Sequence, residues 1–120
     1  NARLSELHWP LDLVWLGMGA DGHTASIFLG DDFDEALAPA KDVRAIGVRP
    51  EPMPPEAPVD RVTLTLPAIV EARTTMFVIN GAEKQAVLEK AIEDGKKSNY
   101  PVGRVFDALT VPVDIYCLTS

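Results

Sequence analysis

Apolar and polar residues alternate along this chain with two periods, and the period changes several times. Residues 11–16 are apolar apart from Asp12 and run into a glycine-rich turn. A short continuous apolar run before such a turn predicts a buried strand of parallel type, with a buried helix as the competing reading. Residues 3–8 predict a short helical lead-in that Pro10 ends. Residues 24–29 predict one or two helical turns, broken by Gly30, Asp31 and Asp32. A further helix over 33–38 and a loosely alternating strand over 43–48 follow. Residues 61–66 alternate Val62, Leu64 and Leu66 with Thr63 and Thr65, the period of a half-buried strand. Pro67 then suits a helix start. Residues 74–79 predict another strand, ended by Asn80-Gly81. Residues 82–94 carry the strongest helical pattern, with Val87, Leu88, Ala91 and Ile92 on one face and Gly95 as the stop. A polar loop over 96–99, a turn or short helix over 100–106 and a final strand over 111–118 complete the pattern.

Strands that alternate with helices argue for an α/β fold with a mostly parallel sheet flanked by helices. Right-handed crossovers then gather the loops that follow the strands on one edge of the sheet. Residues 49–58 hold five prolines and fit neither a helix interior nor a full strand ladder. They predict an ordered or semi-extended loop. An interdomain linker is the alternative, but 120 residues are too few for two good cores, so residues 1–120 are expected to form a single domain.

Composition narrows the functional classes. The 18 acidic residues exceed the 11 basic ones, for a net charge of −7. That balance argues against nucleic acid as a partner, because phosphate backbones require clustered Lys and Arg. A small anion still suits such a chain where a few bases converge. No apolar run approaches the ~20 residues that span a bilayer, so no membrane association is expected. The single cysteine, Cys117, excludes an internal disulfide and fits a reducing, cytoplasmic setting. It sits in a strand-like run and is expected as a small buried hydrophobe rather than a nucleophile.

The candidate chemistry lies in the turn after the first strand. Residues 17–22 fit G-x-G-x-x-G, a dinucleotide-binding pattern. That pattern should open a long apolar helix, which Gly30-Asp31-Asp32 interrupts, and the acid expected about 20 residues on has only Asp42, placed before its strand. Ser26, His23 and Asp21 are close in sequence, but no G-x-S-x-G elbow frames a triad. Only two histidines and no Cys-x-x-Cys are present, which disfavours a metal site. What remains is Asp21 and His23 as an acid–base pair, the carboxylate fixing the imidazole tautomer. The alternative is that Asp21 caps a helix and His23 packs.

These residues carry a resemblance. Asp12-Leu13-Val14-Trp15-Leu16-Gly17-Met18-Gly19-Ala20-Asp21-Gly22-His23-Thr24-Ala25-Ser26-Ile27-Phe28 resembles the signature of 6-phosphogluconolactonases. Arg61-Val62-Thr63-Leu64-Thr65-Leu66-Pro67, Gly81-Ala82-Glu83-Lys84 and Pro101-Val102-Gly103-Arg104-Val105 resemble later segments of that family, in the family order. Glucosamine-6-phosphate deaminases share the Asp-Gly-His and Gly-x-x-Lys turns, but Thr24-Ala25-Ser26-Ile27-Phe28 favours the lactonase branch.

The resemblance implies a Rossmann-like fold of the sugar-phosphate isomerase and lactonase type. It also implies hydrolysis of 6-phosphogluconolactone in the pentose phosphate pathway, without a metal or organic cofactor. His23 would be the general base that activates water and Asp21 its orienting partner. Lys84 would hold the sugar phosphate, with Arg61, Gly19 and Gly22 as further substrate or phosphate contacts and Arg104 as a weaker one. The match covers only what corresponds to the carboxyl-terminal half of the family domain, without the Gly-Gly-Ser/Thr loop and the Asp-Glu-Arg segment. The expected fold is therefore truncated, with an exposed sheet edge that either self-association or the missing half would cover. A deaminase and an inactive sugar-phosphate-binding fragment are the alternative functions.

Overall fold

Two groups of strands, not one sheet, organise the chain. The computed structural model describes residues 2–50, 55 and 58–118. Strands β1 (Leu13–Leu16), β4 (Thr74–Asn80) and β5 (Val113–Leu118) form a parallel sheet in the order β1-β4-β5. Strands β2 (Ala45–Val48) and β3 (Arg61–Leu64) pair antiparallel in a separate ribbon. The expectation of strands and helices alternating around a parallel sheet therefore holds for three strands and is corrected for two. The chain between β2 and β3 holds no crossover helix among the described residues, and strands so linked pair antiparallel. Most of the proline-rich loop prediction lies outside the described residues.

Helices α1 (Phe33–Leu37), α2 (Leu66–Val70), α3 (Ala82–Asp94) and α4 (Pro101–Ala108) agree in place with the pattern. Pro67 stands in the first turn of α2 and Pro101 in that of α4, where a missing N–H costs nothing. Gly95 ends α3 at φ 56, a left-handed conformation that glycine takes without strain. The face of α3 is narrower than the periodicity predicts. Leu88 and Ala91 are buried, Val87 is half-buried and Ile92 is exposed, because one stripe suffices to cover the sheet.

One face of the parallel sheet makes the core. Val14 and Leu16 of β1 and Phe77 and Ile79 of β4 pack with Ile27, Ile69, Leu88, Val102 and Val105. The ring of Phe77 stacks on Phe106, centroids 4.7 Å apart. The other face is open. Leu13 and Trp15 on β1, with Tyr116 and Leu118 on β5, are each more than half exposed. So the first strand is parallel as expected, but only every second residue is buried, because it is an outer strand with one face uncovered. Cys117 registers with the buried Ile79 on the core side, yet it is exposed because β5 is the other edge strand and lies at the margin of the packed helices, which corrects its expected burial.

Residues 24–29 do not form helical turns. Thr24 and Ile27 bridge across a tight reversal, in which the Ile27 N–H donates to the Thr24 carbonyl at 2.9 Å. Ala25 takes φ 51 there, a conformation that costs a non-glycine residue about 1–2 kcal/mol. The compensation comes from β3. The Ser26 N–H donates to Thr63 Oγ1 at 3.0 Å. This contact also inverts the phase of β3: Thr63 is 3% exposed and Val62 is 73% exposed. Thr65 is buried likewise, its hydroxyl donating to the Val43 carbonyl at 3.0 Å. Alternation alone turns the valine inward, but the threonines face inward because their hydroxyls satisfy neighbouring main-chain groups.

Thr63→Val removes the acceptor of a part-buried N–H and should lower the free energy of unfolding by about 1–3 kcal/mol. Val62→Thr, on the exposed side of the same strand, should change it by less than about 0.5 kcal/mol. Urea denaturation of both variants checks the inverted phase.

Candidate active site

Strands in parallel register end at the same edge, and here two such ends adjoin. β1 pairs with β4 from Leu13–Thr74 to Leu16–Phe77. The turn after β1 carries Asp21 and His23, and the turn after β4 leads into α3, which carries Lys84. His23 and Lys84 line one open cleft of about 440 Å³, with Trp15, Met18, Gly19 and Ala25 among its walls. This is the carboxyl edge of the sheet, where α/β folds place ligands.

Main-chain hydrogen bonds close the turn on itself. The Gly22 N–H donates to the Gly19 carbonyl and the Gly19 N–H to the His23 carbonyl, each at 3.0 Å. The Thr24 hydroxyl donates to the Gly17 carbonyl at 2.7 Å. Two glycines are needed for distinct reasons. At Gly19 a Cβ would stand 2.2 Å from Cε1 of His23, so only glycine lets the imidazole lie against the main chain. Gly22 has φ +83, and a Cβ there would meet the Tyr100 side chain at 2.5 Å. That approach lets the Val102 N–H, at the start of α4, donate to the Gly22 carbonyl at 2.9 Å. The glycine pattern thus shapes the turn around its own histidine.

Asp21 binds His23 twice. Its Oδ1 lies 2.5 Å from His23 Nδ1 and accepts from the His23 main-chain N–H at 3.1 Å. Burial is the largest single influence on the carboxyl and raises its pKa. The hydrogen bonds from His23, with the imidazolium charge, outweigh burial and hold the pKa below its ordinary value. With Nδ1 committed to Asp21, Nε2 is the ring nitrogen left for chemistry. The imidazole also stacks on Phe28, ring centroids 4.2 Å apart and planes inclined by 22°. The sequence offered no signal for that contact beyond the position of Phe28 in the motif.

The predicted basic residues separate. Lys84 is half-buried in the first turn of α3, behind Gly81, which has φ +104 and donates its N–H to the Leu118 carbonyl at 2.6 Å. No side chain caps that helix, so its first N–H groups remain available beside Lys84. Arg61 is not in this cleft. It lines a second one of about 270 Å³, with Asp32, Arg49 and Asp60, where Arg49 pairs with Asp60 at 3.0 Å. Its guanidinium carbon lies 4.8 Å from the Phe28 ring centroid, one side chain removed from His23. Arg104 lies on α4 with its guanidinium carbon 5.6 Å from the Phe33 ring centroid and its Nε buried without a hydrogen bond. Arg44, a residue the motifs did not single out, stacks over Trp9 at 4.4 Å.

Among the described residues no helix is long and apolar enough to cross a membrane. Residues 1–111 match the family model for glucosamine-6-phosphate isomerases/6-phosphogluconolactonase. A 6-phosphogluconolactonase of Mesorhizobium japonicum is 39% identical over 117 residues, which are 97% of this chain and 47% of that protein. The human 6-phosphogluconolactonase is 39% identical over 98 residues, 78% of this chain and 34% of that protein. The crystal structure of a 6-phosphogluconolactonase from Shewanella baltica superposes with a TM-score of 0.83 at 31% identity, covering 97% of this chain and 48% of that one. The expected α/β fold of the lactonase type is thereby shown, and the chain spans about half the length of the bacterial relatives it matches.

The depressed pKa of Asp21 gives a signed pH dependence. A carboxyl with a lower pKa in the folded state stabilises the fold above its ordinary value, and that contribution is lost as pH falls through the lowered one. The side chain is 57% exposed, so solvent screening keeps the effect small. In Asp21→Asn the acid limb of the stability–pH curve should be shallower than in the native chain. Thermal melts at falling pH decide it, and parallel acid limbs would contradict the assignment.

Proposed function

The chain belongs to the glucosamine-6-phosphate isomerase/6-phosphogluconolactonase family, and from that premise we propose that its cleft serves the hydrolysis of 6-phosphogluconolactone to 6-phosphogluconate. One observation carries the proposal: an imidazole locked to a carboxylate and a lysine at a helix N-terminus line the same cleft. The named relatives are lactonases, which favours the lactone over an aminosugar phosphate.

In this reading His23 Nε2 takes a proton from water while the water oxygen attacks the lactone carbonyl carbon. The carbonyl becomes a tetrahedral oxyanion. Collapse of the oxyanion breaks the bond to the ring oxygen, which leaves with the proton that His23 returns. Asp21 keeps Nδ1 protonated and supports the imidazolium that forms in between. Lys84 and the first N–H groups of α3 take the sugar phosphate and so fix the distance from phosphate to carbonyl. Gly19 and Gly22 act by shaping the turn. Arg61 lies in the neighbouring cleft and is not a phosphate contact in this reading. No step draws on a metal or an organic cofactor, and the enzyme is assigned to the cytoplasm.

His23→Ala should cut lactone hydrolysis above the uncatalysed rate by about 10²–10⁴-fold. Lys84→Ala should act mainly on KM, by roughly tenfold, the value of a charged hydrogen bond. Measurement of 6-phosphogluconate formed against lactone concentration separates the two. Resonance shifts around Lys84 on adding 6-phosphogluconate, without turnover, would favour a binding fragment instead.

We also propose that the chain self-associates at the exposed edge of its parallel sheet, where the edge strands β1 and β5 leave apolar side chains uncovered. Leu13, Trp15, Tyr116 and Leu118 form an apolar surface on a parallel sheet, a type normally covered on both faces. Sedimentation should show a dimer that Leu13→Asp with Leu118→Asp dissociates. A native chain that stays monomeric at every concentration contradicts it.

A further inference from the structure

Residues 24–29 were expected to turn as a helix, and the departure has a consequence at the histidine. Residues five apart in an α-helix lie about 140° apart around the axis and about 7.5 Å along it. A helix would therefore carry Phe28 away from His23. The tight reversal at Thr24–Ile27, with Ala25 in the left-handed region, brings Phe28 back instead. Its ring lies 4.2 Å from the imidazole and is 5% exposed. Strand β3 holds this arrangement at two points. Thr63 accepts from the Ser26 N–H, and Arg61 sets its guanidinium against the Phe28 ring.

We infer that Phe28, held by Arg61, is a positioning residue that fixes the plane of the His23 imidazole. The inference rests on the lactonase reading for what the imidazole does, and on geometry alone for how it is held. A five-membered ring bound to Asp21 at Nδ1 can still rotate about that hydrogen bond. Stacking against a buried aromatic ring removes the rotation and leaves Nε2 in one orientation at the cleft. Arg61 thereby gains a role that differs from the expected phosphate contact. Its cation lies against the electron-rich face of Phe28 and keeps that ring in register with β3.

The test uses Phe28→Leu, which keeps an apolar side chain in the site but removes the aromatic face, with Phe28→Tyr as the conservative variant. The first readout is proton and nitrogen NMR of the two histidine rings, with His8 as the internal reference. In the native chain the His23 ring protons should lie upfield of those of His8, and the nitrogen shifts should report one tautomer, protonated at Nδ1. Phe28→Leu should move the ring protons toward the His8 positions while the Asp21 hydrogen bond keeps the Nδ1 tautomer, and Phe28→Tyr should restore the native pattern. Arg61→Gln should give a partial version of the same change. The second readout is kinetic. Phe28→Leu should lower kcat on the order of 10–100-fold with KM nearly unchanged. A cooperative melt shows that the variants fold. Native His23 resonances that persist in Phe28→Leu would overturn the inference, as would an unchanged kcat. If no variant and no native chain hydrolyses the lactone, the lactonase reading fails, and the NMR result alone still decides whether Phe28 positions His23.

Discussion

Two parallel strands bonded side by side must finish at the same edge of their sheet, and the turns that leave them must then share that edge. β1 and β4 meet this condition, and everything at the cleft follows from it. Asp21 and His23 lie more than 60 residues before Lys84 in the chain. Only the pairing of Leu16 with Phe77 sets the turn of one against the helix start of the other. No long-range salt bridge is needed to assemble the site, because the main-chain ladder does it.

Within the turn, small residues and hydroxyls do what a larger apolar contact could not. Gly19 leaves room for the imidazole to lie on the main chain, and Gly22 lets α4 approach. Thr24 ties the end of the turn to its start, and Thr63 ties it to the second ribbon. The antiparallel β2–β3 ribbon is thus a support for the turn rather than an extension of the sheet. The same arrangement explains why β3 buries its threonines and exposes Val62.

In a chain with 18 acidic and 11 basic residues, the position of each base matters more than their number. Lys84 has such a place, at an uncapped helix start beside the histidine. Arg61 lines the neighbouring cleft with Asp32, Asp60 and Arg49 and sets its guanidinium against Phe28. Formal charge therefore says little about the cleft. The local distribution decides which cation lines the cleft beside His23 and which one packs on an aromatic ring.

The sequence by itself determined most elements and the chemical identity of the turn. Helical spacing over 82–94, proline at two helix starts and the apolar run before Gly17 are local signals, set by covalent geometry and burial period, and the structure keeps them. The pairing of Asp21 with His23 was legible because the two residues are neighbours. Tertiary structure decided what local signals cannot carry. It assigned β2 and β3 to a separate ribbon, reversed the phase of β3, left one face of the parallel sheet open and Cys117 exposed on the edge strand, and replaced the helical turns of 24–29 by a reversal. In each case the deciding partner lies far away in the chain or is missing from the sheet face. A pattern of hydrophobic positions records which residues prefer burial, but not which distant hydroxyl, ring or strand will meet them.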